Sequence, residues 1–515
     1  MTSDRTVVET SNGPVRGTDD GRTRVWKGIR YAAPPIGELR WRAPVPPESW
    51  TDVADATRFG PVAPQPDIPV IDLGPDVTKD EDCLTLNVSV ASSTGADDPK
   101  PVMVWIHGGA YILGSTTQPL YDAAAMVERG DVVIVTVNYR LGAFGFLDLS
   151  AFGTDEHPFD SNLALRDVIL ALQWVRYNIA AFGGDPEQVT VFGESAGGGM
   201  VTTLMTVPSA AGLFHRAIAQ SSPATSVYDG ARARRIAEMF LDDIGIAPAD
   251  IGHLRDVPTD AVAKATFRLF DDIPTSAPGT LAFAPVVDRD LVPDYPLEVF
   301  RAGNAHPVPL LIGTNKDEAA LFKLMKSPLI PITPDAIRAM FAQIAVERPE
   351  LAIPHEADIL AAYAGVRRKG KGMAVARDIG FRMPTVWLAE GHSAIAPVFL
   401  YRFDWATPLF RLLRVGATHA TELPYVFGNL VSGRKDITFK LGGLTEGKAV
   451  SARMQRRWLN FAVSGDPNGV PNAPIWRPYD SGDRASLVID RNDRAVRDLD
   501  HDLRLAWGDD VLSFP

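Results

Sequence analysis

Residues 188–207 read QVTVFGESAGGGMVTTLMTV. The run QVTVF is short, rich in β-branched residues and almost continuously apolar, which suits a strand buried on both faces of a parallel sheet. The segment after Ser195 can run as a helix, so Gly193-Glu194-Ser195-Ala196-Gly197 falls on a strand-to-helix turn. Outward from that turn the same alternation repeats. VMVWI (102–106), VVIVTVNY (132–139), PLLIGT (309–314) and PVFLYRF (397–403) read as further strands. ALRDVILALQWVRYNIAAF (164–182) places Leu165, Val168, Ile169, Leu172, Val175 and Ile179 at spacings of three and four, an amphipathic helix closed by Gly183 and Gly184. Strand, helix, strand, helix predicts an α/β fold: a central, mostly parallel twisted sheet, helices on both faces, right-handed crossovers.

Composition narrows the function. The 515 residues carry 51 Lys+Arg against 63 Asp+Glu, a formal charge of −12, which disfavours nucleic acid and anionic membrane surfaces as partners. The longest aliphatic runs fall far short of the roughly 18 apolar residues of a membrane helix. A single Cys makes no intramolecular disulfide, and the opening MTSDRTVVETSNG has no apolar run. Together these point to a reducing, cytoplasmic setting. The length alone allows about three domains, but the pattern reads better as one catalytic domain spanning 1–515 and enlarged by helical insertions at about 228–275 and 333–395. Both insertions are expected to build a lid or pocket wall. The dense basic run VRRKGKG (366–372) reads as a solvated loop tip.

The chemistry is concentrated at the ends of strands. G-x-S-x-G is a weak pattern in a chain with 43 glycines, and the bland alternative is a glycine-rich turn with Ser195 as a helix cap. Its place between strand and helix favours a nucleophile instead, since that turn strains the backbone and exposes the hydroxyl at the carboxyl edge of the sheet. His107-Gly108-Gly109-Ala110 follows the strand VMVWI, where backbone N–H groups of Gly108 and Gly109, with that of Ala196, can form an oxyanion hole. His107 itself reads as structural. A serine hydroxyl needs a base, and the base needs an orienting acid, in the chain order Ser, acid, His. His419, in GATHATELPYVFG (416–428) beyond the strand PVFLYRF, is the preferred base. The acid falls after PLLIGT, where Asp317 and Glu318 are both candidates on position.

At this point the chain resembles the type-B carboxylesterases, the α/β-hydrolase family that includes bacterial para-nitrobenzyl-type esterases and, more remotely, cholinesterases. The likeness runs through GPVRG (13–17), WKGIRYAAPPIGELRWRAP (26–44), EDCLTLNV (81–88), WIHGGAY, VNYRLGAFGFL, NIAAFGGDP, VTVFGESAGG, IGTNKDEAALF, GATHATELPYVFG and FAVSGDPN. It implies Glu318 rather than Asp317 as the acid and His419 as the base. It also implies Glu194 and Glu422 as buried supports of the histidine, and structural ion pairs Arg40–Glu81 and Arg140–Asp167. Tyr111, Leu113, Leu321 and Phe322 are expected to line the acyl or alcohol pocket. The departures matter too. Cys83 stands where secreted relatives begin a disulfide but has no partner, so the loop at about 62–80 is unstapled and expected to be mobile. That loop has no Trp, and Leu321 stands where an aromatic is expected, which argues against choline esters. Ala319 replaces the glycine usual after the acid. The expected function is a serine carboxylic-ester hydrolase cleaving small to medium apolar esters through an acyl-enzyme, without metal or cofactor, as a monomer or weak homo-oligomer. A carbamate or aryl-amide hydrolase with the same triad is the alternative, and a non-catalytic adhesion module is the remote one.

Overall fold

Alternation along buried strands decides the architecture. The computed structural model describes all residues except 1–4, 69–70, 96–97, 356–358, 360, 367–369, 432–436 and 513–515. Three of the four basic residues in the run at 366–372, those at 367–369, therefore lie outside the described residues. Among those described, eleven strands form one sheet: β1 (Thr18–Asp19), β2 (Thr23–Arg30), β3 (Thr85–Ala91), β4 (Lys100–Ile106), β5 (Val133–Val137), β6 (Gly184–Glu194), β7 (Arg216–Gln220), β8 (Leu310–Asn315), β9 (Val398–Phe403), β10 (Ala485–Ile489) and β11 (Arg494–Arg497). Their order is β11-β10-β9-β8-β7-β6-β4-β5-β3-β2-β1. Pairings from β5 through β4, β6, β7, β8, β9 to β10 are all parallel, and the flanking pairs are antiparallel. The antiparallel edge strands, β7 and β10 are not read as strands from sequence: RAIAQ and ASLVI are short, TLNVSVA alternates polar with apolar residues, and the remaining edge runs carry charged residues or glycine.

The helices that bear on the site are α1 (Leu163–Asn178), α2 (Ala196–Leu204), α3 (Gly230–Ile244), α4 (Thr259–Ser276), α5 (Ala319–Met325), α6 (Pro334–Glu347), α7 (Lys371–Arg377), α8 (Met383–His392), α9 (Leu444–Ser464) and α10 (His501–Trp507). Side chains alternate between two cores. Val102, Val104 and Ile106 of β4 join Val189 and Val191 of β6 and the α1 residues Leu165, Val168, Leu172 and Val175 on one face. Met103, Trp105, Phe192, Ile218 and Leu311 join Val450, Met454, Trp458 and Phe461 of α9 on the other. The period of two explains why these strands read as unbroken apolar runs. The chain leaves α1 through a tighter turn, Ile179–Phe182, and Gly183 at φ +87° releases it into β6.

The two insertions behave differently. Helix α4 packs its Thr266 against the turn at Gly142, with the hydroxyl accepting from Ala143 N–H at 3.2 Å. Helix α3 buries Ile236, Phe240 and Leu241 in the core. Helices α3 and α4 of the first insertion thus brace the domain flank, with Tyr228 at its start bordering the cavity described below, and residues of α6 and the segment 376–381 in the second wall it more extensively. The loop at 62–80 is closed at its base without a disulfide: Val62 N–H donates to Thr78 O and Asp80 N–H to Val62 O, both at 2.9 Å. Gln65 further exchanges hydrogen bonds with both backbone groups of Gly114. Cys83 is buried, and burial pushes its thiol far up from its ordinary value. No helix among the described residues is long and apolar enough to cross a membrane.

Two buried ion pairs tie the flank of the sheet. Arg40 binds Glu81 through two bonds, and Arg140 binds Asp167 at 2.9 and 2.6 Å. Asp167 is fully buried and Arg140 is 3% exposed, so removing one partner strands the other charge in a dry site. Asp167→Asn is expected to lower unfolding free energy by about 3–5 kcal/mol, read as a lower urea midpoint at unchanged slope.

Candidate active site

Five of the parallel strands, β4 and β6 to β9, deliver their carboxyl ends to one place, the edge where open α/β sheets bind ligands. β6 ends at Glu194 and α2 begins at Ala196, leaving Ser195 at φ 56°, ψ −125°. An L-residue held there costs about 1–3 kcal/mol. Ser195 N–H donates to Gln220 O at 2.9 Å and Ser195 O accepts from Gly199 N–H at 2.8 Å, which over-determines the turn. Both motif glycines are demanded by clearance: a Cβ on Gly197 would stand 2.1 Å from Ile106 O, and one on Gly193 would stand 2.6 Å from Gly197 C.

The end of β4 lies alongside. A Cβ on Gly108 would stand 2.6 Å from Glu194 O and 3.1 Å from Ser195 Cβ, so this loop runs directly against the serine. Gly109 adopts φ +124°, and a side chain there would meet Leu113 O at 2.1 Å. Ala196 is the first residue of α2, where a helix leaves its N–H groups without intrahelical acceptors. His107 stacks on Tyr139 with centroids 4.5 Å apart, and burial pushes it down to about 4.

His419 reaches Ser195 from the loop after β9. Its Nε2 lies 2.8 Å from Ser195 Oγ and its Nδ1 2.7 Å from Glu318 Oε2. Glu318 is fully buried. Its Oε1 accepts from Ser221 Oγ and from Asn315 N–H, each at 2.6 Å. Asp317, the other sequence candidate, turns away: its carboxylate accepts from Ala417 N–H at 3.2 Å. Glu422 accepts from Gln220 Nε2 at 3.0 Å and from Asn315 Nδ2, while Gln220 Oε1 accepts from Trp458 Nε1 at 3.0 Å. Glu194 Oε1 stands 3.3 Å from His419 Nε2 and has no hydrogen-bond partner among the described residues.

Gln220, Ser221, Asn315 and Thr418 escaped the sequence reading. Thr418 donates to Glu318 O at 3.1 Å and accepts from Leu321 N–H at 2.7 Å. The available signal was position: polar side chains immediately at the ends of the apolar strands RAIAQ and LLIGTN.

Burial opposes a charge on His419, but the carboxylates of Glu194 and Glu318 outweigh it and hold the imidazole up to about 9. Burial pushes the Glu194 carboxyl up to about 8 and raises that of Glu422. Ser195, Ala110 and Ala196 border a cavity of about 800 Å³ including its open mouth, and Tyr111, Phe322, Met340 and Phe381 wall it. Two expected lining residues are elsewhere. Leu113 is buried in the core behind the glycine turn that its own N–H closes onto Gly109 O at 2.9 Å. Leu321 is outside the lining, on the stretch of α5 tied to Thr418. Among the described residues, no group of three or more His, Cys, Asp or Glu is arranged to hold a metal ion.

A model of the carboxylesterase family matches residues 4–506. The chain belongs to the carboxylesterase family. It is 38% identical over 492 residues to a para-nitrobenzyl esterase of Bacillus subtilis, covering 94% of each chain. It is 32% identical to a phenmedipham hydrolase of Pseudarthrobacter oxydans, over 96% of this chain and 97% of that one. Among solved structures, a thermophilic PNB esterase superposes with a TM-score of 0.85 at 36% identity, covering 98% of this chain and all of the other. A Geobacillus stearothermophilus carboxylesterase superposes at 0.82 and 34%, with the same coverage. This protein is therefore a carboxylesterase of the α/β-hydrolase fold, an enzyme of ester hydrolysis.

In this carboxylesterase the charge on Glu194 favours a protonated His419. Glu194→Gln removes that charge, so the His419 titration followed by imidazole NMR is expected to move to lower pH. An unchanged or raised midpoint contradicts the electrostatic coupling.

Proposed function

We propose that Ser195 attacks the ester carbonyl, that His419 takes its proton and returns one to the leaving alkoxide, and that Glu318 orients His419 and stabilises the imidazolium. The observation that carries this reading is the unbroken line Ser195 Oγ, His419, Glu318 at 2.8 and 2.7 Å beside a glycine-lined backbone. The oxyanion of each tetrahedral intermediate is held by the N–H groups of Gly108, Gly109 and Ala196, each donor worth roughly 3–4 kcal/mol in the transition state. Collapse expels the alcohol and leaves an acyl-Ser195 ester. Water, deprotonated by the same His419, then releases the acid. Glu194 and Glu422 act on the histidine through charge and through the Asn315 and Gln220 hydrogen bonds.

The apolar walls at Phe322, Met340 and Phe381 support small to medium apolar esters as substrates. Carbamates and aryl amides use the same triad, and nothing in the cavity favours them over esters. The lone, buried Cys83 supports a reducing, cytoplasmic setting, with the chain acting as one catalytic domain, a monomer or weak homo-oligomer.

Covalent labelling with an organophosphate, followed by peptide mass mapping, is expected to place the adduct on Ser195, and Ser195→Ala to lose at least about 10³-fold in kcat. A label elsewhere, or none, sinks the assignment. Across p-nitrophenyl esters of increasing acyl length, kcat/KM is expected to peak at short to medium chains; a long-chain optimum would show a larger pocket than these walls define.

A further inference from the structure

The helix that carries α7 into α8 does not run evenly. Between Arg377 and Met383, the segment Asp378–Arg382 is a single π turn, a distortion that often marks functional sites. It delivers Phe381 to the catalytic cavity with its ring centroid 4.7 Å from that of His419, beside Phe322 at 5.2 Å.

Both ends of the turn are latched by buried polar groups. At its start, fully buried Asp378 binds Arg377 through two bonds of 2.6 and 2.7 Å and accepts from Tyr363 Oη. Tyr363 Oη in turn accepts from Trp507 Nε1 of α10 at 3.0 Å. At its end, Arg382 binds Asp500 through Nε at 3.0 Å and through Nη2. The same guanidinium donates to Thr314 Oγ1 and Tyr401 O, each at 3.1 Å, which ties the turn to β8, the strand leading to Glu318. The chain just beyond α10 adds Leu512 to the cavity wall. Residues 500–512 therefore grip the turn from both ends and reach the site themselves.

We propose that Asp500 and Trp507 are positioning residues for the base: they hold the π turn, the turn holds Phe381 against His419, and the ring keeps the imidazole aligned between Ser195 and Glu318. This rests on the reading of His419 as base. No latch residue touches the reacting atoms, and Phe381 acts as the contact through which the latch works.

The test is a double-mutant cycle on the full-length enzyme. Trp507→Phe keeps an aromatic ring in the buried site and removes the indole N–H that reaches Tyr363 together with part of the indole's volume, and Phe381→Leu keeps an apolar wall and removes the ring. The readout is the burst rate of p-nitrophenol release from p-nitrophenyl butyrate, which reports acylation. Each single variant is expected to slow the burst about tenfold with little change in KM, and the double variant to fall no further than either single one. A hundredfold fall in the double variant, or a lowered thermal midpoint of Trp507→Phe with an unchanged burst, overturns the proposal. Leu505→Ala, on the exposed face of α10, is expected to leave the burst unchanged; a tenfold loss there would mean that any disturbance of the helix suffices, and would also overturn it. Asp500→Asn strands the buried Arg382 charge, so the cycle does not depend on its folding. Organophosphate labelling of the wild type separates the two readings: loss of Ser195 labelling defeats the triad assignment, whereas an additive cycle with labelling intact defeats only the latch.

Discussion

The backbone of Ser195 is the constraint on which the rest of the structure depends. Its φ of 56° and ψ of −125° are tolerable only because the turn is clamped by Gln220 O on one side and the first bond of α2 on the other. That clamp requires β6 and β7 to be adjacent and parallel, with Gln220 opposite Glu194 in register. It requires glycine at 197, because Ile106 O of β4 occupies the space a side chain would take. Strand order, register and glycine placement are thus consequences of a single strained residue, and the stability of two hydrophobic cores is spent in holding it.

Around that residue three carboxyl groups are buried beside one imidazole, which a random core would not tolerate. They are satisfied unequally. Glu318 accepts from His419, Ser221 and Asn315; Glu422 accepts from Gln220 and Asn315; Glu194 Oε1 accepts from nothing among the described residues. The group with the unpartnered oxygen is the one that burial pushes up to about 8. Glu318, which meets His419 Nδ1, is fixed by hydrogen bonds, while Glu194, beside Ser195, reaches the histidine through charge. Asn315 serves both networks from the end of β8, backbone to Glu318 and side chain to Glu422, so a shift of that strand disturbs both together.

Much of this was legible in the chain and some was not, for a physical reason. Five of the seven parallel strands announced themselves because burial on both faces leaves no polar alternation, and the GESAG turn because the strained backbone of Ser195 needs glycines at fixed offsets. Spacing narrowed the acid only to Asp317 or Glu318 and the family resemblance implies Glu318; it is Glu318 Oε2 that lies 2.7 Å from His419 Nδ1, while Asp317 is directed to Ala417 N–H. Gln220, Ser221 and Asn315 were invisible because a polar residue at a strand end is ordinary, and only the sheet order brings the ends of β7 and β8 together against Glu318 and Glu422. Leu113 and Leu321 failed as pocket residues because nearness in sequence to a catalytic glycine or acid does not fix which way a side chain faces.

The second insertion shows the same limit in sharper form. Leu321 leaves an expected aromatic position without a ring, which from sequence argued against choline esters. The ring arrives from elsewhere, on Phe381, sixty residues away in sequence. Its direction depends on one π turn: adding a residue to a helical turn rotates everything after it by about 100°, so Phe381 meets His419 and its neighbour Arg382 turns to Asp500 and β8. Helical periodicity cannot register such an insertion, since the pattern on either side remains regular. The composition of the wall beside the base is therefore set by a local irregularity in the backbone, held by charged groups that sit in unremarkable sequence.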